Sequence, residues 1–254
     1  MRTSVLYRAA FAAVGSMLLA GAAQATVVDI TTAVGVGADA TVSGFIGAGA
    51  IPDQRNTNYG SDAEAYYNFQ ATSGYGVPIN NRIYLKFDLP DDIDTITSAG
   101  ITVRSRANPN KWVAVWGLTD ESLDNWSENT ITWNNAPANT AYNVQDPDGT
   151  KAVTTDWFID NLASPSNVGF ANNTPLKNFL NTDTNGVVTL ILAYTGVGAG
   201  STTGVIDTKE SALGDALAPT LHLEYTPVPV PEPASLSLLA LGGLALVRRR
   251  RSVA

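Results

Sequence analysis

The stretch ITVRSRANPNKWVAVW, residues 101–116, alternates on both sides of a turn. Ile101 and Val103 share one face of an extended chain, and Thr102, Arg104 and Arg106 share the other. Asn108-Pro109-Asn110 is a turn signal. Beyond it Val113 and Val115 fall on one face, with Trp112, Ala114 and Trp116 on the opposite one. If the valines face the core, two tryptophans and two arginines share an exposed face. If the tryptophans face the core, that patch vanishes.

Working outward, similar short β-type runs occur at 27–32, 38–45, 63–69, 82–89, 96–106, 112–118, 187–194 and 220–225. Asn, Gly, Pro and Asp cluster between them. This spacing predicts an all-β protein, an antiparallel β-sandwich or jelly roll. One short helix is expected where Thr174 can cap, Pro175 suits the first turn, and Leu176, Phe179 and Leu180 form an apolar stripe. There is no internal repeat.

Composition narrows the chemistry. The chain has 254 residues, with 22 Gly and 13 Pro, which favours turns over long helices. It has no cysteine, so disulfides, thiolate metal sites and a Cys nucleophile are excluded. Its formal charge is −8, yet residues 26–230 hold nine Lys and Arg against 22 Asp and Glu, a net −13. So acidic a body repels phosphate backbones, which argues against nucleic acid as a partner.

The two ends read as addresses. Residues 1–25 have the pattern of a secretory signal: Arg2 and Arg8, an uncharged run at 9–20, then Ala23-Gln24-Ala25 for cleavage. An N-terminal membrane anchor is the alternative. At the other end, residues 234–247 carry no charge. As a helix they would measure about 21 Å against roughly 30 Å of hydrocarbon. Arg248, Arg249, Arg250 and Arg251 would hold the far end in the cytoplasm. Pro231 and Pro233 keep the preceding chain extended, after a Pro-rich spacer that begins at 227.

Pro231-Glu232-Pro233, the apolar run and the arginines, in that order, resemble the PEP-CTERM sorting signal of Gram-negative bacteria. The resemblance implies an exosortase as processing partner, transient anchoring in the inner membrane, and release to the envelope or outside the cell. It also implies a cell that makes exopolysaccharide. A permanent tail anchor is the other reading of 227–254.

Two further motifs carry a second resemblance. Arg82, Leu85, Phe87 and Asp88 spell R-x-x-L-x-F-D, followed by Ser98-Ala99-Gly100-Ile101. Trp126, Glu128, Ile131-Thr132-Trp133-Asn134-Asn135 and Pro137 spell W-x-E-x-x-I-T-W-N-N-x-P. With Asn58-Tyr59-Gly60, Asp207-Thr208-Lys209-Glu210 and Ala218-Pro219-Thr220-Leu221, they resemble the DNRLRE-type domain of secreted bacterial and archaeal proteins. The likeness spans roughly 37–226, within a domain read as 26–226. It implies a jelly-roll carbohydrate-binding module; some members accompany polysaccharide-degrading enzymes, and some are linked to alginate or cell-surface heteropolysaccharide. The acidic body departs from that last association, because a uronic-acid polymer would need a local basic patch or a bridging cation. Arg82, Phe87, Asp88, Trp126, Glu128, Trp133 and Pro137 are expected to be structural. The tryptophans would pin a loop into the core, and Glu128 would accept backbone N–H groups or pair with Arg82.

Signals of catalysis are few. The single histidine, His222, alternates with Leu221 and Leu223 and reads as a surface residue on a strand. Neither G-x-S-x-G nor H-E-x-x-H is present. Tyr84 beside Arg82 is too little for a lyase, and a glycosidase needs two carboxylates about 5 to 10 Å apart, which sequence spacing does not place. Oxygen-rich loops at Asp120-Glu121 with Asp124, and at Asp146-Pro147-Asp148-Gly149, suit a structural calcium at Asp146 and Asp148 or an ordinary solvated turn. The reading is an exported, non-enzymatic sandwich that binds polysaccharide by stacking and hydrogen bonds. Its candidate contacts are Trp112, Trp116, Arg104 and Arg106, with Tyr66 and Tyr75 behind them. A structural matrix protein without a sugar site, or an enzyme acting on polysaccharide, are the alternatives.

Overall fold

A computed structural model describes residues 24–107, 111–139, 141–144, 146–147, 150–152, 157–159, 166–170, 174–194 and 203–229. At 107, 111–112, 150–152, 157–159 and 166–170 the backbone alone is described. Residues 1–23 of the 1–25 signal, Asp148 and the sorting residues Pro231 to Pro233 and Arg248 to Arg251 lie outside these residues. Among the described residues no helix is long and apolar enough to cross a membrane.

The strands are β1 (Thr26–Thr31), β2 (Ala38–Ser43), β3 (Glu64–Gln70), β4 (Ile79–Asp88), β5 (Ile93–Ala107) and β6 (Lys111–Leu118). They continue with β7 (Thr150–Ala152), β8 (Trp157–Ile159), β9 (Ser166–Phe170), β10 (Val187–Tyr194), β11 (Gly204–Asp207) and β12 (Thr220–Pro227). One helix, α1 (Thr174–Leu180), precedes β10. Every strand pair is antiparallel.

In the first sheet β12 lies between β1 and β5, β5 also pairs with β9 and β11, and β11 pairs with β3. In the second, β4 pairs with β2, β3 and β10, and β10 pairs with β6, which carries β7 and β8. β3 serves both, pairing with β11 through 64–67 and with β4 through 68–70. The result is one antiparallel sheet curled into a sandwich.

The main core fills the space between the two halves. Ile101, Val103, Leu221, Leu223 and Ile206 meet Ile83, Leu85, Phe87, Val113, Val115, Leu190 and Leu192. Each such buried aliphatic or aromatic side chain contributes about 1.5–3 kcal/mol. Leu176, Phe179 and Leu180 of α1 are buried in the same cluster. Gly117 lets the helix approach: a Cβ there would stand 2.5 Å from the Phe179 ring.

The two strands of the opening stretch do not share one exposed face. β5 belongs to the first half and β6 to the second, and they do not pair with each other. Alternation sorts these residues into faces, and the structure shows which face points inward: Ile101, Val103, Val113 and Val115 are all buried in one core. Alternation is silent on whether successive strands are neighbours. Because the two valine faces meet across the core, Arg104 and Arg106 face outward on one side, and Trp116 faces outward on the other.

A second cluster sits on the outer face of the second half. Ala38, Ala40 and Val42 of β2, Tyr84 of β4 and Ile191 of β10 are covered by Trp126, Ile131, Trp133 and Ala136. Those four belong to the long connection that follows β6. Both faces of β4 and β10 are therefore buried, which explains the nearly continuous apolar run of β10 and the burial of the polar Arg82 and Lys86 in β4.

Candidate functional site

The connection after β6 is fastened to the sheet by side chains of the two motifs. Trp126 is buried, and its Nε1 donates to Thr189 Oγ1 at 2.9 Å. Its ring meets Tyr84 edge-on at 6.0 Å. Tyr84 donates its hydroxyl to the Pro137 carbonyl at 2.6 Å. Arg82 is 1% exposed, and its guanidinium lies 5.0 Å from the Trp133 ring centroid. It donates to Asn139 Oδ1 at 2.5 Å and to the carbonyls of Val144 and Asp146 at 2.8 and 2.9 Å. Burial lowers its pKa. Glu128 Oε1 accepts the backbone N–H of Asp39 at 2.9 Å and the ammonium of Lys209, so its partners are these and not Arg82. Phe87 is fully buried in the core, and Asp88 accepts the N–H of Val36 at 3.2 Å.

Where this connection leaves the sheet, a cleft of about 600 Å³ opens. Val36 and Ala38 form one wall, Asn185 and Val187 contribute from the start of β10, and Lys86 comes from β4. Glu121, Asp124, Asn125, Trp126 and Glu128 complete it from the connection. Lys86 is 5% exposed; its ammonium donates to the Trp126 carbonyl and lies 4.5 Å from the Trp126 ring centroid. Burial pushes its pKa down, against the pull of Asp124 and Glu128. Burial pushes Asp124 up to about 6. Glu121 is occupied: its carboxylate accepts the N–H of Thr184 at 2.9 Å and the Thr184 hydroxyl. Asn125 is exposed at the cleft.

A neighbouring acidic group could hold a metal ion. Carboxylate oxygens of Asp39, Glu128 and Glu210 lie within 4.8 Å of one another. The Lys209 ammonium donates to Glu128 and Glu210. Asp39 Oδ2 accepts from Thr32 Oγ1 at 2.5 Å and from the N–H of Lys209 at 3.2 Å. Burial, with the charge of Glu210, pushes Asp39 up to about 7. The loop at Asp146 differs from this: Asp146 is exposed, and its described contact is a main-chain carbonyl held by Arg82.

The sugar-contact candidates divide between the two outer faces. Arg104 and Arg106 bring their Nε atoms within 3.6 and 3.4 Å of Asp207. Arg106 also donates to Glu64 at 2.6 Å, and Tyr66 donates its hydroxyl to the same carboxylate at 2.9 Å. These three are brought together. Trp116 is half-buried against the second cluster on the other half of the sandwich. The backbone of Trp112 pairs with Phe158, and its side chain lies outside the described residues. Tyr75 is exposed and meets Phe45 edge-on at 5.9 Å. His222 has partners that sequence reasoning missed, because they come from strands β1 and β5: Asp29 Oδ1 at 2.6 Å from Nδ1, and Thr102 Oγ1 at 2.7 Å from Nε2.

The cleft itself was not read from the sequence. Lys86 occupies a variable position inside R-x-x-L-x-F-D, and nothing in that spacing separates a cleft-lining lysine from a solvated one.

A family model described as carbohydrate-binding module family 96 matches residues 18–161. That span runs through β8 and includes the whole connection that builds the cleft. A second model, the PEP-CTERM protein-sorting motif, matches residues 229–251. No curated protein matches the chain.

Proposed function

The chain belongs to carbohydrate-binding module family 96 and ends in a PEP-CTERM motif, and from that premise we propose that it is an exported protein that binds polysaccharide in its cleft. The observation that carries the reading is the cleft beside Trp126. Its volume of about 600 Å³ is within the usual range for small-ligand sites of roughly 300–1,000 Å³. It combines apolar walls with amide, carboxylate and ammonium groups. Side chains of the two sequence motifs act here as the scaffold: Arg82, Trp126 and Glu128, with Tyr84, hold the connection that forms one side of the site. The cleft is preferred to the Arg104, Arg106 and Tyr66 group because the polar ends of that group are engaged with Asp207 and Glu64.

The role is binding rather than turnover. An exosortase would process the C-terminal motif at the inner membrane and deliver the domain to the envelope or the matrix. A structural calcium, if the domain carries one, would be held by Asp39, Glu128 and Glu210 in competition with the Lys209 ammonium.

Affinity electrophoresis of the purified chain through gels containing single polysaccharides tests the reading. Retardation by a polysaccharide, reduced several-fold in Asn125→Ala and Val36→Ala at unchanged melting temperature, is the expected result. Equal retardation of both variants would move the site elsewhere. Free migration in every gel would reject carbohydrate binding.

A further inference from the structure

The charges around the cleft allow a class of glycan to be assigned, an inference that rests on the cleft being the sugar site. Three carboxylates line it, from Glu121, Asp124 and Glu128, against the Lys86 ammonium, and Glu128 shares the Lys209 ammonium with Glu210. Among the described residues no arginine lines it, so none there offers a planar fork to clamp a carboxylate from two donors. The Lys86 ammonium is already engaged, donating to the Trp126 carbonyl and lying against the Trp126 ring. The surrounding body is strongly acidic as well, with 22 Asp and Glu against nine Lys and Arg over 26–230. Without a cation at the neighbouring carboxylates to bridge it, a uronic-acid polymer would bring a row of like charges into a partly desolvated space where repulsion is weakly screened.

The rest of the lining suits an uncharged sugar. Val36, Ala38 and Val187 present apolar surface of the kind that meets the C–H faces of a pyranose ring. Asn125 is exposed and offers an amide that both donates to and accepts from hydroxyls. We propose that the cleft takes an uncharged hexose or pentose polymer and rejects polyuronates.

The test uses the full chain in native gels containing β-1,3-glucan, galactomannan, xylan or polygalacturonate, each run with EDTA at low and at high salt. Retardation by at least one neutral polymer, insensitive to salt, with free migration through polygalacturonate, is expected. The variant Asn125→Lys adds a cation at an exposed position of the cleft. It should gain polygalacturonate binding by about tenfold, equivalent to roughly 1.4 kcal/mol, and lose that gain at high salt. Stronger retardation of the wild type by polygalacturonate than by every neutral polymer would overturn the assignment and leave carbohydrate binding standing. Asn125→Lys without effect on any polymer would overturn it too, by removing the cleft as the site. No retardation by any of the four would defeat the carbohydrate-binding reading itself.

Discussion

Lys86 donates its ammonium to the main-chain carbonyl of Trp126 and lies 4.5 Å from the centroid of that same residue's ring. A strand residue thus holds both the backbone and the side chain of the connection that covers its sheet. The contact sits at the cleft, so the group that fixes this part of the cleft's shape also brings a positive charge to its lining.

Lys86→Met keeps the length of the side chain and removes the charge. The Trp126 carbonyl then loses its donor at a site where Lys86 is 5% exposed. A loss of about 1–3 kcal/mol in unfolding free energy is expected from the unmade hydrogen bond. Urea denaturation measures it, and an unchanged midpoint would show that the carbonyl finds another partner.

Arg82 makes a stronger case. Its guanidinium fans out to Asn139, Val144 and Asp146 and covers Trp133, tying several points of one loop to β4. A lysine keeps the charge and has neither the fork nor the flat stacking face. Arg82→Lys is therefore expected to cost about 3 kcal/mol, as buried carbonyls lose charged donors. Limited proteolysis should then cut between 139 and 147 sooner than in the wild type.

Much of this architecture is visible in local patterns. The alternation at 101–106 and 112–116 groups the residues by face, leaving the buried face to the structure, and the stripe Leu176, Phe179 and Leu180 gives the helix. Sheet membership is a long-range property, and so Arg104 and Trp116 lie on opposite outer faces despite their closeness in sequence. Short strands such as Gly204–Asp207 carry too few residues for a period to show. The cleft draws Val36, Lys86, Asn125 and Val187 from four separate parts of the chain, so no spacing could announce it.

The C-terminal motif should be separable from the fold. It matches residues 229–251, beyond the last strand, which ends at Pro227. Glu232→Ala is expected to leave the melting temperature of the purified chain unchanged. In a host that has an exosortase, the same variant should accumulate unprocessed in the membrane fraction, seen as a larger band on immunoblots. Normal processing of the variant would mean that Pro-Glu-Pro is not what the peptidase reads in this chain.

Asp39 gives the fold a pH dependence of defined sign. Burial is the main cause of its pKa rising from 3.8 to about 7, helped by Glu210 and opposed by the Thr32 hydroxyl and Lys209. Between those two values the folded chain keeps a proton that the unfolded chain has released. Stability therefore falls as pH rises through this window, and the contribution levels off above about 7. Asp124, raised to about 6, adds a fall of the same sign over the lower part of the window. Asp39→Asn keeps an oxygen to accept from Thr32 Oγ1 and from the N–H of Lys209 while removing the titration. Its unfolding free energy should vary less with pH between 5 and 8, by up to about one proton in slope, and the variant should gain on the wild type toward pH 8. Urea titrations across that range decide the matter: parallel curves for the two proteins would mean that Asp39 is ionised throughout and that Lys209 compensates its charge in full.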